Sequence, residues 1–270
     1  MPELPEVETI VRGLRRAVTG KTIASVEIRL AKMAQAPAGV DFQKALKGER
    51  IVSLGRRGKY AVIELSSGRS LVVSLRMTGR LVVQPKGAPP YPYGYIILAF
   101  TDGDSLVFAD VRTFGRMRLI EAGEPWDQAL GLEPLLKSFT PERFIAMLSG
   151  RTTPVKAFLL DQRRIAGVGN IYACEALWEA GIRPGKPAGT LTKPAARRLH
   201  RALVDVLKKA VNMRGSSIDD YVDADGLKGG FQNVLSVYGK AGKKCSRCGG
   251  TVERTVIAGR GTWWCRKHQK

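Results

Sequence analysis

A chain of 270 residues with 44 lysines and arginines against 24 acidic residues carries a formal charge of +20. That excess is well beyond what solubility needs and points to a polyanion, nucleic acid first, as partner. Its 44% hydrophobic content suits packed cores rather than a disordered polycation, and neither an apolar run of membrane-spanning length nor a secretory signal is present, so the cytoplasm is the expected compartment.

The first ten residues, MPELPEVETI, read as the start of a helix. Val7, Ile10, Val11 and Leu14 fall on one face, and Pro5 suits a first helical turn. Glu6 and Glu8 could simply complement the positive end of that helix. At a chain terminus, however, loss of Met1 would leave the secondary amine of Pro2 beside the carboxylates of Glu3 and Glu6, a group able to do chemistry.

From residue 22 to about 120 the chain reads as strands: TIASVEIRL, RIVSLGRRGKYAVIEL, RSLVVSLRMTGRLVV, GYIILAF and SLVFADV are rich in β-branched residues and split by Ser-Gly, Thr-Gly or Asp-Gly turns. An antiparallel sandwich or barrel is expected. After Pro134 the texture turns helical, in PERFIAMLSG, TPVKAFLLDQ, NIYACEALWEAGI and TKPAARRLHRALVDVLKKAV. A boundary near residues 130–137 follows, with expected domains 1–133, 134–235 and 236–270.

Three of the four cysteines fall in the last 26 residues, which does not fit a disulfide framework. Cys245, Cys248, Cys265 and His268 are spaced C-x2-C-x16-C-x2-H, two close pairs separated by a hairpin-length insert. That pattern predicts one structural zinc ion with four protein ligands and no open position for a reacting water. The hairpin carries AGRGT at its expected turn, where Arg260 is suited to clamping phosphate, with a solvated basic hairpin as the plainer reading. Cys174 reads as a small core residue.

With only His200 and His268 present, a serine-histidine triad or a two-histidine metal centre is hard to build, and no P-loop occurs. Carboxylate and amine chemistry remains. An α-amino group has an unperturbed pKa of about 8 against about 10.4 for lysine, so far more of it is nucleophilic at neutral pH. A secondary amine attacking a sugar aldehyde carbon yields a cationic iminium, an electron sink for eliminating adjacent phosphates.

MPELPEVETI, GRRGKY, LRMTGRL, DVRTFG, IAGVGNIYACEALWEAGIRP, GGFQNVLSVYG and the cysteine hairpin, in this order, resemble bacterial formamidopyrimidine-DNA glycosylase. The resemblance spans almost the whole chain. It implies a multidomain α+β fold: an N-terminal antiparallel β-sandwich with a terminal helix, a helical helix-two-turn-helix domain and a zinc-finger hairpin. It also implies a monomeric bacterial enzyme, associated with the nucleoid through DNA. Such an enzyme acts on double-stranded DNA holding an oxidised purine or an abasic site. It removes 8-oxoguanine and formamidopyrimidines and then cuts the strand by β,δ-elimination.

Carried over by position, the resemblance makes Pro2 the nucleophile on sugar C1′ and Glu3 the acid assisting ring opening. Glu6 becomes a carboxylate for moving protons or ordering water. Lys59 reaches the backbone beside the lesion. Met77, Arg112 and Phe114 fill the space left by an extruded base, a task their side chains suit. Without the resemblance, core packing would be preferred for Met77 and Phe114. Asn170, also a natural helix cap, grips phosphates with Arg260, and Lys156 fits a position near that interface. Ser217, Ile218 and Tyr221 lie in a loop expected to close over the base.

Two departures stand out. The family usually ends its zinc hairpin with a fourth cysteine where this chain has His268, and PPYPYGY replaces a histidine-bearing segment before YIILAF. Two rivals are an endonuclease VIII type enzyme, which prefers oxidised pyrimidines, and a protein that recognises damage without cutting.

Overall fold

The computed structural model describes residues 2–217 and 227–270. Two compact units emerge, one formed by Met1–Asp127 with Arg214–Gly230, the other by Gln128–Met213 with Phe231–Lys270. No change in composition announces the return of the chain to the first unit at residue 214.

The first unit opens with helix α1 (Leu4–Val18), followed by strands β1 (Ile23–Ile28) and β2 (Ala34–Gln35), a short helix α2 (Phe42–Leu46), then β3 (Ile51–Arg57), β4 (Tyr60–Leu65), β5 (Ser70–Ser74), β6 (Gly79–Gln84), β7 (Gly94–Phe100), β8 (Ser105–Asp110) and β9 (Arg116–Ile120). Two sheets form a sandwich, one ordered β1-β7-β8-β6 and the other β2-β9-β5-β4-β3. Their residues alternate as a half-buried sheet requires: in β7, Ile96, Leu98 and Phe100 are buried while Tyr95, Ile97 and Ala99 are partly exposed. The stripe predicted for α1 is real. Val7, Ile10, Val11, Leu14 and Val18 enter the sandwich core, each burial favouring the fold by about 1.5–3 kcal/mol.

Topology brings distant segments together at one end of the sandwich. β5 and β6 are consecutive but belong to different sheets, as do β8 and β9. The chain therefore crosses between sheets at both places, as it also does from β1 to β2. β6 pairs with β8, Gly79 opposite Asp110, and β5 pairs with β9, Ser74 opposite Arg116. The two crossovers, residues 75–78 and 111–115, consequently lie side by side.

The second unit contains α3 (Pro141–Leu148), α4 (Val155–Leu160), α5 (Asn170–Glu179) and α6 (Lys193–Asn212), then the hairpin β10 (Val252–Ile257) and β11 (Arg260–Cys265). Thr140 and Thr192 cap α3 and α6 through their hydroxyls, each followed by a proline in the first turn. Helix α5 is buried from Ile171 to Trp178 and packs against α4, α6 and β11. Cys174 is a core residue, packed with Trp178, Val237, Cys245, Val252 and Cys265. Glu175 lies buried in the same helix and accepts from the amides of Ser236, Val237 and Tyr238, which fixes the strand of chain leading to the hairpin.

Candidate active site and nucleic-acid interface

Glu3 is the N-cap of α1, and Pro2, Glu3 and Glu6 are all buried. Glu6 sits at the third helical position and returns to the Glu3 amide, accepting at 2.8 Å through Oε2, as capping carboxylates do. Its other oxygen accepts from the Ser216 amide at 2.8 Å. A Cβ at Gly215 would fall 2.7 Å from Glu6 Oε1, and the residue has φ +78°, so the glycine admits this approach twice over. Glu6 is thus a fastener of backbone, a role its sequence position did not suggest.

The third glutamate has different partners. Glu8 accepts from Arg12 Nε at 2.8 Å and from Arg56 Nε at 2.9 Å. Burial pushes its carboxyl up, but these two guanidiniums outweigh burial and hold it below the ordinary value. Arg56 also donates to the carbonyl of Gly58 at 2.9 Å. Gly58, with φ +57°, makes the tight turn between β3 and β4 beside Lys59, so α1 braces the tip that carries Lys59. From sequence Glu8 reads only as a complement to the positive end of α1 and Arg56 does not stand out, because nothing in their spacing signals the pairing.

Met77, Arg112 and Phe114 come together on the two crossovers. Met77 and Phe114 are 40% and 51% exposed, so the core-packing alternative does not hold. Arg112 Nη1 stands 3.0 Å from Met77 Sδ, and its guanidinium lies 5.0 Å above the Phe114 ring. The three form one exposed cluster, an apolar side chain and an aromatic ring joined by a cation.

In the second unit, the hairpin turn falls at Ala258 and Gly259, both with positive φ, as a two-residue turn matched to strand twist requires. Arg260 follows at the tip, exposed and paired with Ile257. Gly169, not Asn170, is the N-cap of α5. Asn170 Nδ2 instead donates to the Gly261 carbonyl at 3.0 Å, and its Oδ1 is buried without a hydrogen-bond partner.

Lys156 departs from its expected place at a DNA surface. It is fully buried, and its ammonium donates to Gly261 O at 2.9 Å and to Thr262 Oγ1 at 2.6 Å. A buried ammonium needs such acceptors, and these fasten the hairpin beside Arg260. Lys156 supports the tip from within.

The sulfurs of Cys245, Cys248 and Cys265 all lie within 4.8 Å of one another. Tetrahedral zinc with bonds of about 2.3 Å spaces thiolates by about 3.8 Å, so these three fit the ion. Burial raises the Cys245 thiol, but the Trp178 indole N–H and the amides of Arg247 and Cys248 outweigh it and bring the pKa down to about 7. His268, expected as the fourth ligand, stands outside this group. Its Nε2 is 2.8 Å from the Trp178 carbonyl oxygen, because the turn after β11 aims the ring at the end of α5.

Of the expected base-binding loop, Ser217 is described: its hydroxyl accepts from the Gly229 amide at 2.9 Å. A Cβ at Gly229 would fall 2.3 Å from the Gly215 carbonyl oxygen, so the two ends of the loop are pressed together where only glycine fits. Ile218 and Tyr221 lie outside the described residues. Among the described residues, no helix is long and apolar enough to cross a membrane.

Comparison with known proteins adds to this geometry. The formamidopyrimidine-DNA glycosylase N-terminal domain matches residues 1–117, the H2TH domain of the same family residues 130–222, and a zinc finger found in FPG and IleRS residues 242–267. A formamidopyrimidine-DNA glycosylase of Brevibacillus brevis is 45% identical over 275 aligned residues, covering 100% of this chain and 99% of the relative. Two structures of the Lactococcus lactis protein align over 100% of both chains. One is a G226P mutant bound to Fapy-dG DNA, with TM-score 0.92 and 37% identity, and the other is the wild type with DNA holding an oxidised pyrimidine, with TM-score 0.90 and 36% identity. From the N-terminal sandwich to the zinc-finger hairpin, then, this chain belongs to the formamidopyrimidine-DNA glycosylase family.

Proposed function

We propose that this protein flips oxidised purines, 8-oxoguanine and formamidopyrimidines, out of duplex DNA, removes them through Pro2, and cuts the resulting abasic strand. The observation that carries the reading is the first turn of α1, where two buried carboxylates, Glu3 and Glu6, flank the chain next to Pro2. Once Met1 is removed, the Pro2 nitrogen is a secondary amine whose lone pair can attack C1′ of the damaged nucleotide. The bond from C1′ to the base breaks, and the base departs with a proton. Glu3 supplies the proton that opens the sugar ring, leaving an iminium between Pro2 and C1′. Loss of a proton from C2′ expels the 3′ phosphate, and a second elimination expels the 5′ phosphate.

Other residues take supporting parts. Lys59, braced by Arg56, meets the backbone beside the lesion, while Met77, Arg112 and Phe114 occupy the emptied stack. Arg260 and Asn170 grip phosphates, and the orphaned Oδ1 of Asn170 suits a water or donor brought by the DNA complex. Ser217, Ile218 and Tyr221 contact the extruded base. Zinc held by Cys245, Cys248 and Cys265 supplies the hairpin with its fold.

The oxidised-pyrimidine complex of the Lactococcus lactis relative favours a second reading, in which pyrimidine lesions are also substrates. Borohydride trapping of protein confirmed to begin at Pro2 separates the two, using matched duplexes with 8-oxoguanine, an oxidised pyrimidine or no lesion. An adduct mapped to Pro2 and selective for 8-oxoguanine is expected. Preference for the pyrimidine would move the protein to the second reading, and absence of any adduct despite DNA binding would leave a damage-recognition protein.

A further inference from the structure

We infer that Asp110 is a positioning residue that locks the two sheet crossovers into one rigid wedge for base expulsion, an inference that rests on the glycosylase reading above. Asp110 is the last residue of β8, paired with Gly79 at the start of β6, so it sits where one crossover ends and the other begins. It is 1% exposed. Its Oδ1 accepts from the Thr78 hydroxyl in a short hydrogen bond and from the Arg112 amide at 3.2 Å, while its Oδ2 accepts from the Gly115 amide at 2.6 Å. Thr78 Oγ1 accepts from the same Arg112 amide at 3.0 Å. One carboxylate therefore holds the neighbour of Met77, the backbone of Arg112 and the residue after Phe114.

The surroundings are shaped for this contact. A Cβ at Gly115 would fall 2.6 Å from Phe108 Cζ and 3.0 Å from Asp110 Oδ2, so a side chain there would push the amide away from the carboxylate. Each crossover also contains a residue other than glycine in the left-handed region, Arg76 at φ +54° and Thr113 at φ +55°, a conformation that persists only where neighbouring bonds enforce it. The wedge needs such enforcement. Met77 and Phe114 must enter a base stack together with Arg112, and two independently mobile tips would lose the entropy advantage of a preformed shape.

Asp110→Asn is nearly isosteric, yet it places an amide NH2 against the N–H of either Gly115 or Arg112, where only acceptors fit. Thr78→Val, a milder variant, removes the hydroxyl while leaving the carboxylate its two amides. In DNA-free Asp110→Asn protein, hydrogen exchange at the Arg112 and Gly115 amides should rise by about ten-fold or more. Both variants should excise 8-oxoguanine from duplex DNA about ten-fold or more slowly in single turnover. A 2-aminopurine beside the lesion should show a correspondingly smaller fluorescence rise on unstacking. Cleavage of an abasic site in single-stranded DNA, which needs no wedge, should stay within about three-fold of wild type.

Equal losses on the duplex and single-stranded substrates would overturn the wedge role in favour of general damage to the fold. Wild-type excision with unaffected variants, or unchanged exchange at both amides, would overturn it as well. A wild-type chain that leaves every lesion duplex intact would instead overturn the glycosylase reading, and this role with it.

Discussion

Glu6 and Ser216 are joined by a 2.8 Å hydrogen bond across 210 residues of sequence, so one buried carboxylate fastens both the first turn of α1 and the base of the expected base-binding loop. Glu6→Gln keeps the shape but turns one oxygen into a donor, which must then face the amide of either Glu3 or Ser216. A loss of about 1–3 kcal/mol in urea unfolding is expected, the penalty of a buried unmatched group. Unchanged stability would show that neither bond carries weight.

The Glu8 pair with Arg12 and Arg56 makes stability depend on pH. Its folded carboxyl titrates below the ordinary 4.5, against burial, because of these two guanidiniums. Its contribution is therefore complete at pH values above the unfolded pKa and is lost as pH falls through the folded one. Glu8→Gln should lose about 1 kcal/mol or less at pH 7, given partial solvent screening, with the two stability curves converging once pH has fallen below the folded pKa of Glu8. Curves that stay parallel into acid would remove the ion pair as the cause.

Lys156 and Arg260 should give different salt signatures. Arg260→Ala removes a charge from an exposed tip, so binding to all duplexes should weaken alike and the salt slope should fall by about one. Lys156→Met takes the ammonium from the Thr262 hydroxyl and leaves the Gly261 carbonyl with Asn170 Nδ2, loosening the tip. Affinity should drop with little change in slope, because no phosphate contact is lost. A slope reduced as much as in Arg260→Ala would return Lys156 to the DNA surface.

For the zinc hairpin, Cys248→Ser should abolish stoichiometric metal and, with it, the near-ultraviolet signal of Trp263 and Trp264, since structural zinc sites couple metal to folding. His268→Ala should retain zinc at neutral pH, because its ring is bonded to the Trp178 carbonyl and stands outside the three-sulfur group. Metal analysis after dialysis decides this. Loss of zinc as complete as in Cys248→Ser would restore His268 as the fourth ligand.

Much of the architecture was legible because it is written in local patterns. Alternation marked β7, the 3.6-residue stripe marked α1, and fixed spacing marked the three cysteines. The residues that organise the site were less so. Lys156 reads as a cation on a short helix, and only its burial against Thr262 shows that it faces inward. Asp110 reads as the end of a strand, and its importance follows from a crossover topology that periodicity does not encode. Glu6 was noticed as chemistry, while its bond to Ser216 depends on a contact that no window of sequence contains.

The first unit is discontinuous in sequence, since Arg214–Gly230 belongs to it. During synthesis the sandwich can collapse once β9 has emerged, yet Glu6 must wait for Ser216 until most of the second unit has been made. Such late, long-range closure raises contact order and slows the final folding step. A nascent chain halted before residue 214 would thus hold a packed sandwich whose first turn of α1 is still unfastened, so that maturation of the two parts is separated in time.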